Sequence, residues 1–141
     1  PGGRAYGIMM HEMLSRVTTT ADIEQAVDHA CTAGLLQVTG RDAAVTRLRA
    51  MLSSENIRHW FDGSASVLTE ATIILPSGAA RRPDRVMIRG NQVTVVDYKF
   101  GEPSPRHKLQ AAEYRQLLTR MGYPEVKSWL WYVEKDIIEE A

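Results

Sequence analysis

The spacing of apolar and polar positions changes partway along the chain. Over residues 6–61 the apolar side chains recur three and four positions apart, as at Met10, Leu14 and Val17, which is the spacing of one helical face. Over residues 67–100 apolar and β-branched residues follow one another between turn residues, as they do in β-strands. The pattern therefore predicts helices first and a sheet afterwards.

Caps and breakers set the limits of the predicted elements. Short turns between neighbouring strands favour an antiparallel meander, and a helix followed by a last strand completes a mixed sheet. The expected fold class is α/β, with a mixed central sheet and an N-terminal helical region. The predicted helices cover residues 6–17, 23–34, 42–52 and 107–121, and the predicted strands cover 67–75, 82–89, 93–100 and 129–133, with an edge at 137–138.

Length and composition favour one globular domain over residues 1–141, with 20–61 as a helical insertion. The 141 residues are 44% hydrophobic and 24% charged, which is ordinary for a globular protein. No apolar run approaches the ~18 residues of a membrane span, and the first residues lack the apolar segment of a signal peptide. The start at Pro1 suggests a piece of a longer polypeptide. Cys31, the one cysteine, excludes an internal disulfide and fits a reducing compartment.

The charges give a local argument for nucleic acid but no overall one. Formal net charge is zero, so bulk electrostatics favour no polyanionic partner. Basic residues nevertheless gather around two carboxylates, although a solvated surface with scattered arginines explains them as well. They are Arg81, Arg82, Arg85 and Arg89 around Asp84, and Lys99, Arg106, His107 and Lys108 after Asp97.

Two carboxylates and a lysine form the main candidate site. Asp84 and Asp97 each end an apolar stretch, and Lys99 lies two residues after Asp97, on the same face of a strand. Burying carboxylates is costly unless they are paired or bind a metal. Mg²⁺ or Mn²⁺ would suit these oxygens, with Lys99 orienting an activated water. The alternative is a structural ion pair of Lys99 with either aspartate.

Four further residues are weaker candidates. His11 lies beside an apolar stripe, either as a packing residue or as a Mn²⁺ or Mg²⁺ ligand. Gln110 and Tyr114 share a helical face, either as core residues bonded to each other or as contacts to a phosphate or base. Glu70, expected in mid-strand, is either a third metal ligand or a partner for an arginine or Lys99.

Four motifs in order resemble one nuclease family. They are the runs 6–11 (YGIMMH), 82–86 (RPDRV), 97–99 (DYK) and 110–114 (QAAEY). Together they resemble the PD-(D/E)XK nuclease superfamily, and most closely the RecB/AddA-type nuclease domain at the C-terminus of UvrD/Rep-type helicases. The resemblance covers residues 6–133 and implies a restriction-endonuclease-like core.

The resemblance also implies roles for the motif residues. Lys99 would be the catalytic lysine, acting with Asp84 and Asp97. The implied cofactor is Mg²⁺ or Mn²⁺, without the iron–sulfur cluster of some relatives because only Cys31 is present. The implied metal ligands are His11, Asp84, Asp97 and the backbone carbonyl of Tyr98, and the implied DNA-binding or motif residues are Gln110, Tyr114, Arg82 and Arg85.

The implied reaction is hydrolysis of DNA phosphodiester bonds that leaves 5′-phosphates. The implied partners are DNA, single-stranded after unwinding, the helicase domains of the same polypeptide and a second helicase–nuclease subunit, with no membrane. The implied setting is the bacterial cytoplasm, in double-strand-break repair or recombination. The helices over residues 20–52 match no motif and are expected to pack against the helicase or another subunit.

Two other hypotheses remain open on the sequence. One is a non-catalytic DNA-binding or docking module that retains the nuclease fold, which zero net charge would suit. The other is an α/β domain whose ionic residues are structural. The nuclease hypothesis predicts that Asp97→Ala abolishes cleavage while folding survives or improves, and the structural hypothesis predicts that Asp97→Ala destabilises the fold.

Overall fold

The computed structural model describes residues 3–141, which divide into two compact units at the Ser64–Ala65 boundary. The first unit is helical. The sequence-based helices of this unit are confirmed within three residues at each end. Its elements are α1 (Gly3–Ser15), α2 (Ile23–Thr32) and α3 (Arg41–Leu52), with short 3₁₀ turns at Thr20–Asp22, Val38–Gly40 and Arg58–Trp60.

The helical unit is held together by apolar faces and by ion pairs of Arg41 with Glu24 and Asp28. α2 packs against both α1 and α3, and the side chains between them, such as Leu14, Val27 and Leu48, are buried. A capping box at Thr19 and Asp22 opens the 3₁₀ turn that leads into α2, as is typical of a threonine followed three residues later by an acidic residue.

The second unit, Ala65–Ala141, contains the sheet. Its elements are β1 (Ser66–Thr69), β2 (Ile73–Ile74), β3 (Ala80–Arg81), β4 (Arg85–Arg89), β5 (Gln92–Lys99), α4 (Pro105–Arg120), β6 (Glu125–Tyr132) and β7 (Ile137–Glu140). Five of the strands form one sheet with the spatial order β1-β4-β5-β6-β7, in which β5 and β6 are parallel and the other neighbours antiparallel. The mixed sheet of the sequence analysis is confirmed.

The first predicted strand, over residues 67–75, was wrong as a single element. The chain leaves the five-stranded sheet after Thr69, where Glu70 has a φ of +56°. It then makes a separate hairpin, because β2 pairs only with β3. Glu70 therefore lies at a bend between two elements and not in the middle of a strand.

The helix α4 covers one face of the sheet. Ser104 caps it by accepting from the backbone N–H of Arg106, and Pro105 occupies its first turn, where the missing N–H costs no hydrogen bond. Its buried side chains, including Tyr114 and Leu118, pack against Val86 and Val95. Because β5 is buried on both faces, its polar residues lie close to the core.

Within residues 3–141, none of the helices has the length and apolar character that crossing a lipid bilayer requires.

Candidate active site

Two aspartates, Asp84 just before β4 and Asp97 in β5, are tied together by backbone hydrogen bonds. The N–H of Asp84 donates to Oδ1 of Asp97 at 3.0 Å, and the N–H of Tyr98 donates to Oδ2 of Asp84 at 2.7 Å. Asp97 is 5% exposed and Asp84 is partly buried. Hydrogen bonds to the ionised form stabilise a buried carboxylate, so the two strands hold both carboxylates in place.

Lys99 lies on the same face of β5 as Asp97. The alternation places Val93, Val95, Asp97 and Lys99 on the side that α4 covers. From α4, Gln110 brings its Oε1 to 3.4 Å from the Lys99 Nζ. The structure thus gathers the predicted carboxylates, lysine and glutamine on one side of the sheet.

Tyr114 lies next to the carboxylates, one helical turn after Gln110. Its side chain is buried, and burial, followed by the negative charges of Asp97 and Asp84, raises its pKa. The phenol therefore stays protonated and can donate a hydrogen bond. Beside it, an ion pair of 3.0 Å between Arg81 Nε and Glu113 Oε1 joins β3 to α4.

Glu70 approaches the site through its backbone. Its N–H donates to the carbonyl of Asp84 at 3.3 Å, so the bend that ends β1 lies against the start of β4. Across residues 3–141, no three side chains of the types His, Cys, Asp and Glu come close enough together to hold a metal ion. Asp84 and Asp97 are two carboxylates of this site that could hold a metal ion.

A comparison with protein-family models decides the family. The model of the PD-(D/E)XK nuclease superfamily matches residues 2–141, which is nearly the whole chain. The chain belongs to the PD-(D/E)XK nuclease superfamily. Nucleases of this superfamily generally hydrolyse phosphodiester bonds and typically use divalent metals such as Mg²⁺. A comparison with curated proteins found no significant match.

The remaining predicted residues of this superfamily member occupy different environments. Arg82, the first residue of the 82–86 motif, is exposed and therefore accessible to a ligand. Arg85 is 0% exposed, so its guanidinium acts inside the protein and not as a surface contact. His11 is half-buried on α1 in the helical unit.

Tyr98 contributes differently through its backbone and its ring. Its N–H holds Asp84, whereas its ring is on the opposite face of β5, edge-on to Trp131 with centroids 5.7 Å apart. Burial raises the pKa of the Tyr98 hydroxyl, against the lowering effect of nearby Arg85. The motif between Asp97 and Lys99 therefore anchors the site to the sheet interior.

The donor set of this nuclease-superfamily site fits a hard divalent cation. Mg²⁺ keeps several waters and is commonly bound by one or two carboxylates, which Asp84 and Asp97 supply. Each carboxylate oxygen has two lone pairs, so the N–H bonds at Asp97 Oδ1 and Asp84 Oδ2 do not exclude coordination. Lone Cys31, half-buried in the helical unit, cannot form a thiolate site.

One residue near the site was not recognised as a candidate in the sequence. His107, in the first turn of α4, lies with its Nδ1 3.1 Å from the hydroxyl of Tyr132. Tyr132 pairs in register with Lys99 across the parallel β5–β6 ladder. In the sequence only a basic cluster at residues 106–108 was apparent, because the β5–β6 register that brings these groups together has no local signal.

Proposed function

We propose that this chain is a Mg²⁺- or Mn²⁺-dependent DNA nuclease domain. The observation that carries the proposal is the pair of carboxylates, Asp84 and Asp97, fixed by each other's strands with Lys99 on the same face. A structural ion pair does not need two adjacent carboxylates on one buried edge. A site for a divalent cation with a neighbouring ammonium group does.

Asp84 and Asp97 would hold the metal ion, and the resemblance adds the Tyr98 carbonyl and His11 as ligands. The bound ion supplies a water of lowered pKa and neutralises charge that grows on the phosphate. The backbone N–H groups of Asp84 and Tyr98 keep the carboxylates in a fixed orientation. The strand register therefore sets the geometry of the site before substrate binds.

Lys99 and its two neighbours on α4 complete the chemistry. The Lys99 ammonium orients the attacking water and offsets the negative charge of the pentacoordinate phosphate. Gln110, 3.4 Å away, limits where this ammonium group points. Tyr114, kept protonated beside the carboxylates, donates to a phosphate or base of the bound strand.

The finer setting follows from the four ordered motifs. They support a nuclease domain attached to a UvrD/Rep/AddA-like helicase that acts in bacterial double-strand-break repair or recombination. The helicase would supply single-stranded DNA, which then enters the site without needing to be unpaired. The open reading frame that encodes these residues tests this setting. Superfamily-one helicase motifs in the same open reading frame support it, and a complete open reading frame without them contradicts it.

Cleavage of a labelled single-stranded DNA with Mg²⁺ or Mn²⁺ tests the activity. Lys99→Ala should lower the rate about 100-fold or more, because a preorganised charge near the reacting phosphate is lost. Lys135→Ala is the matched control, since Lys135 is a surface lysine paired with Glu102 at 2.8 Å. It should cleave at the wild-type rate.

Metal-binding calorimetry distinguishes an inactive nuclease that still binds metal from a DNA-binding module that has no metal site. Wild type should bind Mn²⁺ in the absence of DNA, and Asp84→Ala should lose that binding. If wild type neither cleaves nor binds metal, the nuclease proposal fails and a DNA-binding module that retains the fold becomes the better account.

A further inference from the structure

A histidine in no motif lies beside the proposed catalytic lysine. His107 is half-buried in the first turn of α4. Burial first, and then the positive charges of Lys99 and Arg106, hold its pKa below the ordinary value, while Glu139 acts in the opposite direction. Above neutral pH the side chain is therefore an uncharged imidazole that interacts with two cations.

Tyr132 fixes the orientation of that imidazole. This last residue of β6 is 1% exposed, and its hydroxyl lies 3.1 Å from Nδ1 of His107, with the ring centroids 5.9 Å apart. Burial raises the pKa of the Tyr132 hydroxyl, against the lowering effect of the Ser104 backbone, so the hydroxyl keeps its hydrogen.

The order of donors follows from the burial of Tyr132. A buried hydroxyl needs an acceptor for its hydrogen, and Nδ1 of His107 lies within hydrogen-bond distance of the Tyr132 hydroxyl. The imidazole hydrogen is then on Nε2, because the bond made by one ring nitrogen selects the tautomer. His107 thus presents an uncharged N–H donor, held by a buried tyrosine, at the wall of the site.

The position of this donor indicates what it binds. Asp84 precedes β4 on one side of β5, whereas Tyr132 is on β6 on the other side, about 4.8 Å across the sheet from β5. His107 therefore lies on the β6 side of the site, against the residue that pairs in register with Lys99. A donor flanked by Lys99 and Arg106 matches a phosphate oxygen.

We infer that His107 is a substrate-contact residue whose Nε2–H donates to a phosphate next to the scissile one. The inference rests on the proposed nuclease function, and it names a contact outside the four motifs. It differs from a structural role for the His107–Tyr132 pair, which would leave the affinity for DNA unchanged. It also differs from a role as a cation, because the imidazole carries no charge.

Steady-state cleavage of single-stranded DNA at pH 8 tests the inference. His107→Ala should raise KM about tenfold with little change in kcat, because a hydrogen bond to a charged phosphate is lost. His107→Gln should restore most of the affinity, since its amide nitrogen can occupy the position of Nε2. Tyr132→Phe should raise KM less than His107→Ala, and exposed His59→Ala is the matched control.

The salt dependence of DNA binding, measured by anisotropy with Ca²⁺ in place of Mg²⁺, identifies the kind of contact. His107→Ala should weaken binding without changing the slope of log Kd against log salt. Arg106→Ala should reduce that slope by about 0.7, the value for one phosphate contact on a single strand. A reduced slope for His107→Ala would contradict an uncharged donor.

The binding measurement keeps this inference separate from the proposed activity. If wild type binds DNA but does not cleave it with metal, the nuclease proposal fails while the affinities still decide the role of His107. If wild type cleaves and His107→Ala retains the wild-type KM and Kd, the inference is wrong and the nuclease proposal stands. A loss in His107→Ala that Gln does not restore would also overturn it, in favour of a structural role.

Discussion

The backbone N–H of Asp84 donates to the carboxylate of Asp97, with 3.0 Å between the nitrogen and Oδ1. Asp97 is nearly inaccessible to solvent, so this bond replaces part of the hydration that the carboxylate has lost. The partnership is between one residue's main chain and the other's side chain. Asp97→Asn keeps the hydrogen-bond acceptor and Asp97→Ala removes it. The two variants therefore separate the effect of the negative charge from the effect of the hydrogen bond.

Asp97→Asn should lose cleavage and keep its fold. The amide oxygen can still accept from Asp84, but the charge that binds metal is gone, so activity should fall about 100-fold or more. The free energy of unfolding in urea should change by less than about 1 kcal/mol. Asp97→Ala should lose activity and also about 1–3 kcal/mol of stability, because it leaves the N–H of Asp84 without this acceptor.

This modifies the expectation drawn from the sequence that folding survives Asp97→Ala unharmed. If the Asn variant cleaves at the wild-type rate, Asp97 is not part of the site. If the Ala variant is as stable as the Asn variant, the hydrogen bond from Asp84 contributes nothing measurable to folding.

Tyr114→Phe should make the protein less sensitive to alkali. Burial and the two aspartates raise the pKa of Tyr114 above its ordinary value of 10.0, so above about pH 10 the unfolded chain ionises this phenol while the folded protein keeps it neutral. Wild type should then lose about 1.4 kcal/mol more per pH unit than the variant. Below about pH 9 the difference in unfolding free energy between the two proteins should stay constant.

Urea unfolding followed by tryptophan fluorescence from pH 7 to 11 measures this effect. Tyr98→Phe is a second variant with the same expected behaviour, because burial also raises the pKa of Tyr98. Parallel curves for wild type and Tyr114→Phe up to pH 11 would show that the folded and unfolded pKa values of this tyrosine are equal.

Glu70→Gly should be more stable than Glu70→Ala. Residue 70 has a φ of +56°, a left-handed conformation that costs side-chain-bearing residues about 1 kcal/mol or more and costs glycine little. Both variants lose the same side-chain contacts, so the difference of about 1 kcal/mol in urea reports the backbone alone. An Ala variant as stable as the Gly variant would rule out strain at this bend.

The same two variants test Glu70 as an accessory metal ligand. If its carboxylate assists metal binding, both should require more Mn²⁺ for half-maximal cleavage. If it does not, both should match wild type.

Arg41→Ala should lower the melting temperature at low salt but not at 1 M NaCl. Arg41 bridges α3 to α2 through Asp28 at 2.8 Å and Glu24 at 3.1 Å. This surface network is screened at high ionic strength, where the Debye length is about 3 Å. Asp42→Ala, which removes a partner that is 93% exposed, is the control and should have the smaller effect at either salt concentration.

The sequence predicted the elements that bear the site better than those around it. The strand at 93–100 and the helix at 107–121 agree with Gln92–Lys99 and Pro105–Arg120, because alternation and the turn residues on either side are unambiguous there. The bend at Glu70 was missed because residues 67–75 contain no glycine or proline. Only tertiary contacts make the chain leave the sheet at that point.

Side-chain environments were harder to predict than elements. The alternation along β4 put Arg85 on a face with Arg89, which is exposed, yet Arg85 is fully buried. Local sequence does not show what covers each face of a sheet. The bonds that fix Asp84 and Asp97 depend on the register of two strands, which likewise cannot be read from either strand alone.

The connection between β4 and β5 has a consequence for the order of folding. Arg89 and Gln92 pair across a two-residue loop, and Gly90 has the positive φ of +59° that such tight turns need. A hairpin of this kind closes in about 1–10 μs, without waiting for contacts that are distant in sequence. Asp84 and Asp97 therefore become neighbours early, whereas Lys99 meets Gln110 and His107 meets Tyr132 only after the crossover helix has docked.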